Sequence, residues 1–229
     1  MSGRMGIIAC LWLAALPVGA QESAFAPSLQ NPSFETPASL EDTNAAPPEI
    51  WHYFSSKPGA RVGVTASAKR SGGQSLTLKA PPRDNEFVGV AQSFPVSPGY
   101  HYVFAAHVIG DAPDRLVGEA FGQMHFEWRD AQGKEITRTW GPTWNAQLPT
   151  RRWERFMVEG DAPDGAVSGI VVMTLHSKNS GGRGTVYIDD CEFGGGLRVS
   201  GSPRRGPTNS ADRIRRPPSP LRQKTPPGP

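Results

Sequence analysis

The stretch Gln123-Met124-His125-Phe126-Glu127-Trp128-Arg129 separates into two sets: Met124, Phe126 and Trp128 at the even positions, and four hydrogen-bonding side chains at the odd ones. Successive side chains of an extended chain point to opposite faces, so this pattern reads as a half-buried strand with its apolar side on a core. The same period of two recurs over 75–79, 87–94, 100–109, 153–159, 168–176 and 185–193, and the strand holding the quoted stretch runs over 122–129. Pro81-Pro82, Pro98-Gly99, Gln132-Gly133, Asp164-Gly165 and Gly181-Gly182 break the runs, as turns between strands do. No segment keeps a helical period. Seven antiparallel strands need two packed sheets to bury their apolar faces, so the expected fold is all-β: a two-sheet antiparallel β-sandwich of jelly-roll type.

The chain has 229 residues, 37% of them hydrophobic before its 26 glycines are counted, which suits one globular core with appendages. Residues 1–20 combine Arg4, an apolar run over 6–16, Pro17 and the small residues Val18-Gly19-Ala20. They read as a secretory signal peptide, shorter than the roughly 20 apolar residues of a membrane span. Ile7-Ile8-Ala9-Cys10 also looks like a lipoprotein cleavage box, but it leaves almost no apolar stretch ahead of Cys10. The expected product is exported, extracellular or periplasmic, with no membrane span. Cleavage after Ala20 removes Cys10 and leaves Cys191 without an intrachain partner, a small apolar side chain among Tyr187, Ile188 and Phe193.

The sandwich is expected over 21–193. From Gly194-Gly195-Gly196 onward the chain turns to Pro, Arg, Ser and Gly, too poor in apolar residues to repay ordering, and 194–229 reads as a disordered basic tail. That tail holds eight Arg or Lys against Asp212, whereas 21–193 holds 15 basic and 20 acidic residues. The basic pI of 9.0 therefore belongs to the tail, and no nucleic-acid partner is expected for the domain.

Several segments then stand in order: Asn31-Pro32-Ser33-Phe34-Glu35, Trp51, Arg70-Ser71-Gly72-Gly73-Gln74-Ser75-Leu76, Val96-Ser97-Pro98-Gly99-Tyr100-His101-Tyr102, Trp153, Asp161-Ala162-Pro163-Asp164-Gly165-Ala166 and Val186-Tyr187-Ile188-Asp189-Asp190-Cys191. Together they resemble the carbohydrate-binding modules of the CenC type, families four, nine and twenty-two, with a galactose-binding-domain-like jelly roll. The resemblance implies a secreted non-catalytic module that binds a polysaccharide or glycan on its concave sheet, with or beside a polysaccharide-active enzyme. It also implies a structural Ca²⁺ held by the side chains of Glu35 and Asp189, with backbone carbonyls of Ser33 and Ser71. A hard cation takes six to eight oxygens, and carboxylates from separate segments would clasp the N-terminal strand to the C-terminal one. Asp190, adjacent on the strand and facing the other way, is the reserve ligand. The resemblance makes Trp51 and Trp153 core anchors.

Sugar recognition asks for aromatic faces against ring C–H groups and for amides, acids or imidazoles on the hydroxyls. The polar side of 123–129 offers His125 and Glu127. On the strand over 100–109, Tyr102, Phe104 and Ala106 read as core, which turns His107 to the opposite face as a further candidate. Thr139-Trp140-Gly141-Pro142-Thr143-Trp144-Asn145 reads as a Gly/Pro loop whose Trp140 and Trp144 form either a stacking platform or a cover over the core edge. Tyr53 flanks the groove. A glycosidase would need a second carboxyl about 5 to 10 Å from Glu127, and the strand pattern places none there. His125 and Glu127 share a face as zinc ligands would, but the five histidines lack the spacing of a strong metal motif. No GxSxG occurs. Two further readings stand beside the binding module: a structural or adhesive cell-surface domain whose basic tail makes the contact, and an accessory or remnant domain of a glycoside hydrolase.

Overall fold

The computed structural model describes residues 28–36, 50–56, 61–80, 85–179 and 181–197. The expected signal peptide, and the expected tail beyond residue 197, lie outside the described residues. Ten strands form: β1 (His52–Ser55), β2 (Arg61–Thr65), β3 (Ser75–Lys79), β4 (Glu86–Pro95), β5 (His101–Gly110), β6 (Phe121–Arg129), β7 (Glu135–Trp144), β8 (Glu154–Asp161), β9 (Ser168–Ser177) and β10 (Thr185–Gly196). They pair antiparallel into two five-stranded sheets, β1-β4-β9-β6-β7 and β2-β3-β10-β5-β8. The fold is the all-β, jelly-roll-type sandwich expected from the alternation. No helix of the described residues is long and apolar enough to cross a membrane.

Inward positions of both sheets fill the core. Val88, Val90, Met124, Phe126, Trp128, Val171, Met173 and Leu175 of the first sheet face Leu76, Leu78, Phe104, Val108, Val186 and Ile188 of the second. A block of rings ties one end: Phe94, Tyr102, Phe126, Trp128 and Phe193 lie with centroids 4.5 to 6.5 Å apart. Gly169 and Gly195 make room for it, since a side-chain carbon at either would strike the rings of Phe94 or Tyr102. Trp51 is in the core, stacked at 5.3 Å on Phe34, as expected. Trp153 is only half-buried.

The structure departs from the sequence reading at three edges. Strands β1 and β2 are short edge strands with too few residues for the alternation to show. The expected Gly/Pro loop over 139–145 is instead part of β7, the edge strand beside β6. An edge strand tolerates a proline because one side of its backbone has no ladder to complete. And β10 continues past Phe193 through Gly196, pairing Gly194, Gly195 and Gly196 with Val103, Tyr102 and His101.

Gly141 and Pro142 form a bulge in β7. Thr143 pairs with Gln123 and Trp140 with His125, so the two residues between them stand against Met124 alone. Trp140 and Trp144, four apart, would share a face in a regular strand; the extra residue puts them on opposite faces. Trp140 is 56% exposed and Trp144 2%. Trp144 packs on Phe156 at 5.2 Å and lies across Gly122, its cross-strand partner. The indole occupies the space a side chain on Gly122 would need, with Nε1 only 1.9 Å from that carbon position. Gly122→Ala is therefore expected to destabilise the domain by about 1–3 kcal/mol, the usual cost of overpacking. Urea unfolding followed by tryptophan fluorescence checks it, and an unchanged midpoint would contradict the packing described.

Candidate functional site

The outer face of the first sheet is set by the cross-strand register. One row runs His52, Ala91, Val172, His125 and Trp140; the next runs Phe54, Gly89, Thr174, Gln123 and Thr143. The middle of the face is therefore floored by the small side chains of Ala91, Val172 and Thr174, with the tip of the Phe54 ring lying over Gly89. Rings rise on both sides. Along one margin Phe54, Phe87, His176 and Phe121 follow one another at centroid distances of 6.1, 5.8 and 4.6 Å, the last pair stacked parallel. Burial beside His125 lowers the His176 pKa, favouring the neutral ring in this stack. A cleft of about 560 Å³ opens at the other end, lined by Ile50, His52, Ala91, Ser93 and Ile170 among others.

Against β7 lies a compact charged group. Glu127 accepts a hydrogen bond from Arg129 at 2.7 Å, sits 3.1 Å from Arg138 and has the His125 Nε2 at 3.5 Å. Arg138 also grips Glu135 with two bonds of 2.7 and 2.8 Å. The His125 imidazole first, then the two guanidiniums, hold the Glu127 carboxyl down to about 2 against the opposing effect of burial. Arg138 lies 5.5 Å over the Trp140 ring, and His125 lies 4.6 Å from that ring at 45°.

Of the expected sugar ligands, His125, Glu127 and Trp140 come together here. Three do not. His107 belongs to β5 of the other sheet, opposite Asp189 and Arg155, on the far side of the sandwich. Its polar phase along the strand was correctly read, but alternation gives the face of a strand and not the sheet that owns it. Trp144 is buried in the core and cannot stack on a sugar. Tyr53 stands opposite the core-facing Val90, on the reverse side of β1 from His52 and Phe54, so those two residues flank the groove in its place. The reading also missed Glu135 and Arg138, because β7 was taken for a loop. Phe87, Phe121 and His176 were legible: each is out of phase with its strand's core positions. The second acid expected to be absent near Glu127 is present as Glu135, joined to it through Arg138.

The residues expected to hold a cation are joined to one another by hydrogen bonds. Asp189, fully buried, accepts the backbone N–H of Arg70 at 2.8 Å and of Ser71 at 3.2 Å on one oxygen, and that of Asp190 at 2.7 Å on the other. Burial nonetheless raises its pKa. Both Glu35 oxygens accept the Gly73 N–H at 3.1 Å. The side chains of Ser33 and Ser71 donate to Asp190, which also pairs with the Arg70 guanidinium. A bulge between Asp189 and Glu192, with Asp190 at φ 48°, brings Asp190 to this same cluster instead of the opposite face. The four expected residues thus do tie the N-terminal segment, the 70–74 loop and β10 together. Backbone amides bond the carboxylates of Glu35 and Asp189, and two hydroxyls and a guanidinium bond that of Asp190, a set that competes with a hard cation for the same oxygens.

Neither a protein-family model nor a curated protein sequence matches the chain. Solved structures do resemble it. The enzymatically active domain of tailspike protein 4 from bacteriophage CBA120 is 13% identical with a TM-score of 0.52, over 73% of this chain and 21% of that one, so this chain spans about a fifth of that domain's length. The Stig cyclase Fisc from Fischerella sp. TAU is 13% identical with a TM-score of 0.52, over 75% of this chain and 98% of that one. The CBM22-1 xylan-binding domain of Paenibacillus barcinonensis Xyn10C is 17% identical with a TM-score of 0.47, over 73% and 93%. At these identities the likeness is one of fold.

Two measurements follow from this geometry. The Glu127 carboxyl titrates lower folded than its ordinary 4.5, so its contribution to stability is complete above about 4.5 and is lost as the pH falls toward about 2. Glu127→Gln should flatten that limb of the stability curve and cost of the order of 2 kcal/mol at pH 7 after solvent screening. The clasp is read by a thermal melt with and without chelator: amide bonding leaves Tm unchanged, and a chelator-dependent fall would restore the cation.

Proposed function

We propose that the outer face of the first sheet binds a polysaccharide or glycan, and that the protein is an exported, non-catalytic carbohydrate-binding module. The observation that carries this reading is the composition of that face. A floor of small side chains is flanked by His52 and Phe54 on one side and by His125, Glu127 and Trp140 on the other, so apolar rings and hydrogen-bonding groups converge over a strip without bulky side chains. Flat rings suit the C–H faces of pyranoses, while imidazole and carboxylate suit their hydroxyls. The ordered motif series, with its likeness to CenC-type modules, points the same way.

The acids of the site support binding over hydrolysis. Glycoside cleavage needs one carboxyl that keeps its proton near neutral pH. Glu127, fixed between two arginines, is held ionised and is no proton donor. A carboxylate fixed between guanidiniums is instead a rigid hydrogen-bond acceptor. The xylan-binding domain among the structural relatives names one class of ligand to try first.

The test is a pull-down of the full chain on insoluble polysaccharides together with a glycan array, repeated with His125→Ala, Glu127→Ala and with residues 198–229 deleted. Retention on one polysaccharide class is expected. It should fall at least about tenfold in the double variant, roughly 1.4 kcal/mol of lost contacts, and survive the deletion. Unchanged affinity in the double variant would remove this face from the function; loss on deletion alone would assign the contact to the tail.

A further inference from the structure

His125 is 4% exposed; its Nε2 faces the Glu127 carboxylate at 3.5 Å, while Nδ1 makes no hydrogen bond with any described residue. A buried imidazole nitrogen left without a partner is costly. The His125 ring lies on the outer face of β6, beside Val172 of β9 and against the Trp140 ring at 4.6 Å and 45°. That indole is itself 56% exposed and stands on the edge strand immediately before the Gly141-Pro142 bulge. Arg138 flanks its ring at 5.5 Å.

Resting on the binding reading above, we propose that Trp140 is a displaceable cap: in the free protein the indole holds the place of a sugar ring over His125, and a ligand enters by swinging it outward. The vacated strip between Val172 and β7 then takes one pyranose, one hydroxyl of which pairs with the imidazole Nδ1 while the Glu127 carboxylate accepts a bond from another. The ligand class is thereby narrowed to sugars with free hydroxyls on the unit bound there. The unsatisfied Nδ1 biases the site toward the bound state, and the indole keeps it from bulk water until then. Arg138, resting against the indole and bonded to Glu127 and Glu135, keeps the closed position populated.

Carbethoxylation of the full chain by diethyl pyrocarbonate, mapped by peptide mass spectrometry, reads the free state. His125 should label about tenfold more slowly than the exposed His52, and Trp140→Ala, checked for native circular dichroism, should bring the two within a factor of about three. Labelling of His125 as fast as His52 in the native chain overturns the cap. The bound state is read by 5-fluorotryptophan and histidine NMR with xylohexaose and cellohexaose, each with a partner methylated at O2 and O3. Binding that moves the Trp140 fluorine and His125 ring resonances together, and is lost on methylation, supports the proposal. Shifts at Ile170 and Thr174 with Trp140 and His125 unmoved overturn it while leaving glycan binding on this face intact. No shift anywhere with either saccharide, in a chain that also fails the polysaccharide pull-down, removes the binding reading and the cap with it.

Discussion

The two sheets meet over one continuous apolar layer, and everything outside that layer is a consequence of it. Each inward side chain of β4, β6 and β9 stabilises the sandwich by roughly 1.5–3 kcal/mol on leaving water, and each fixes its neighbours along the strand on the outer face. The ring block of Phe94, Tyr102, Phe126, Trp128 and Phe193 anchors this arrangement at one end. With Met124, Phe126 and Trp128 committed to the core, His125 and Glu127 have no alternative to the outer face. The candidate site is thus the reverse side of the core, held as rigidly as the core itself.

Much of this was legible in sequence. A strict alternation over 123–129 gives strand, core side and polar side at once, because a slip of one residue would expose three large apolar side chains. What alternation cannot give is which sheet a strand joins. His107 and His125 have equivalent patterns, and only long-range pairing separates them onto opposite sides of the sandwich. Nor can it follow a strand through a bulge. Trp140 and Trp144 look equivalent in a Gly/Pro-rich segment, and the extra residue between them sends one to solvent and the other into the core. Tyr53 shows the related limit for a four-residue edge strand, where the phase has too few residues to declare itself.

The cluster joining Ser33, Glu35, Arg70, Ser71, Asp189 and Asp190 ties the N-terminal segment and the 70–74 loop to β10 through hydrogen bonds. The N-terminal segment has no disulfide to hold it: Cys191 is the single cysteine of the described residues, buried and with its thiol pKa pushed well above the ordinary range. Its own amide binds the Pro32 carbonyl at 2.9 Å, adding a backbone contact to the side-chain ones. Amide donors fix the carboxylates of Glu35 and Asp189 in this cluster, and two hydroxyls and a guanidinium fix that of Asp190.

The bulge that aims Trp140 has a second effect, on how molecules of this protein meet. An open sheet edge is a template on which another chain can lay a strand, and β7 is ten residues long. Pro142 removes one donor from that edge, the extra residue kinks its backbone, and the charged pair of Glu135 and Arg138 sits on the same strand. Such a blunted edge keeps crowded copies of the chain separate, so that high local concentration does not become fibre growth.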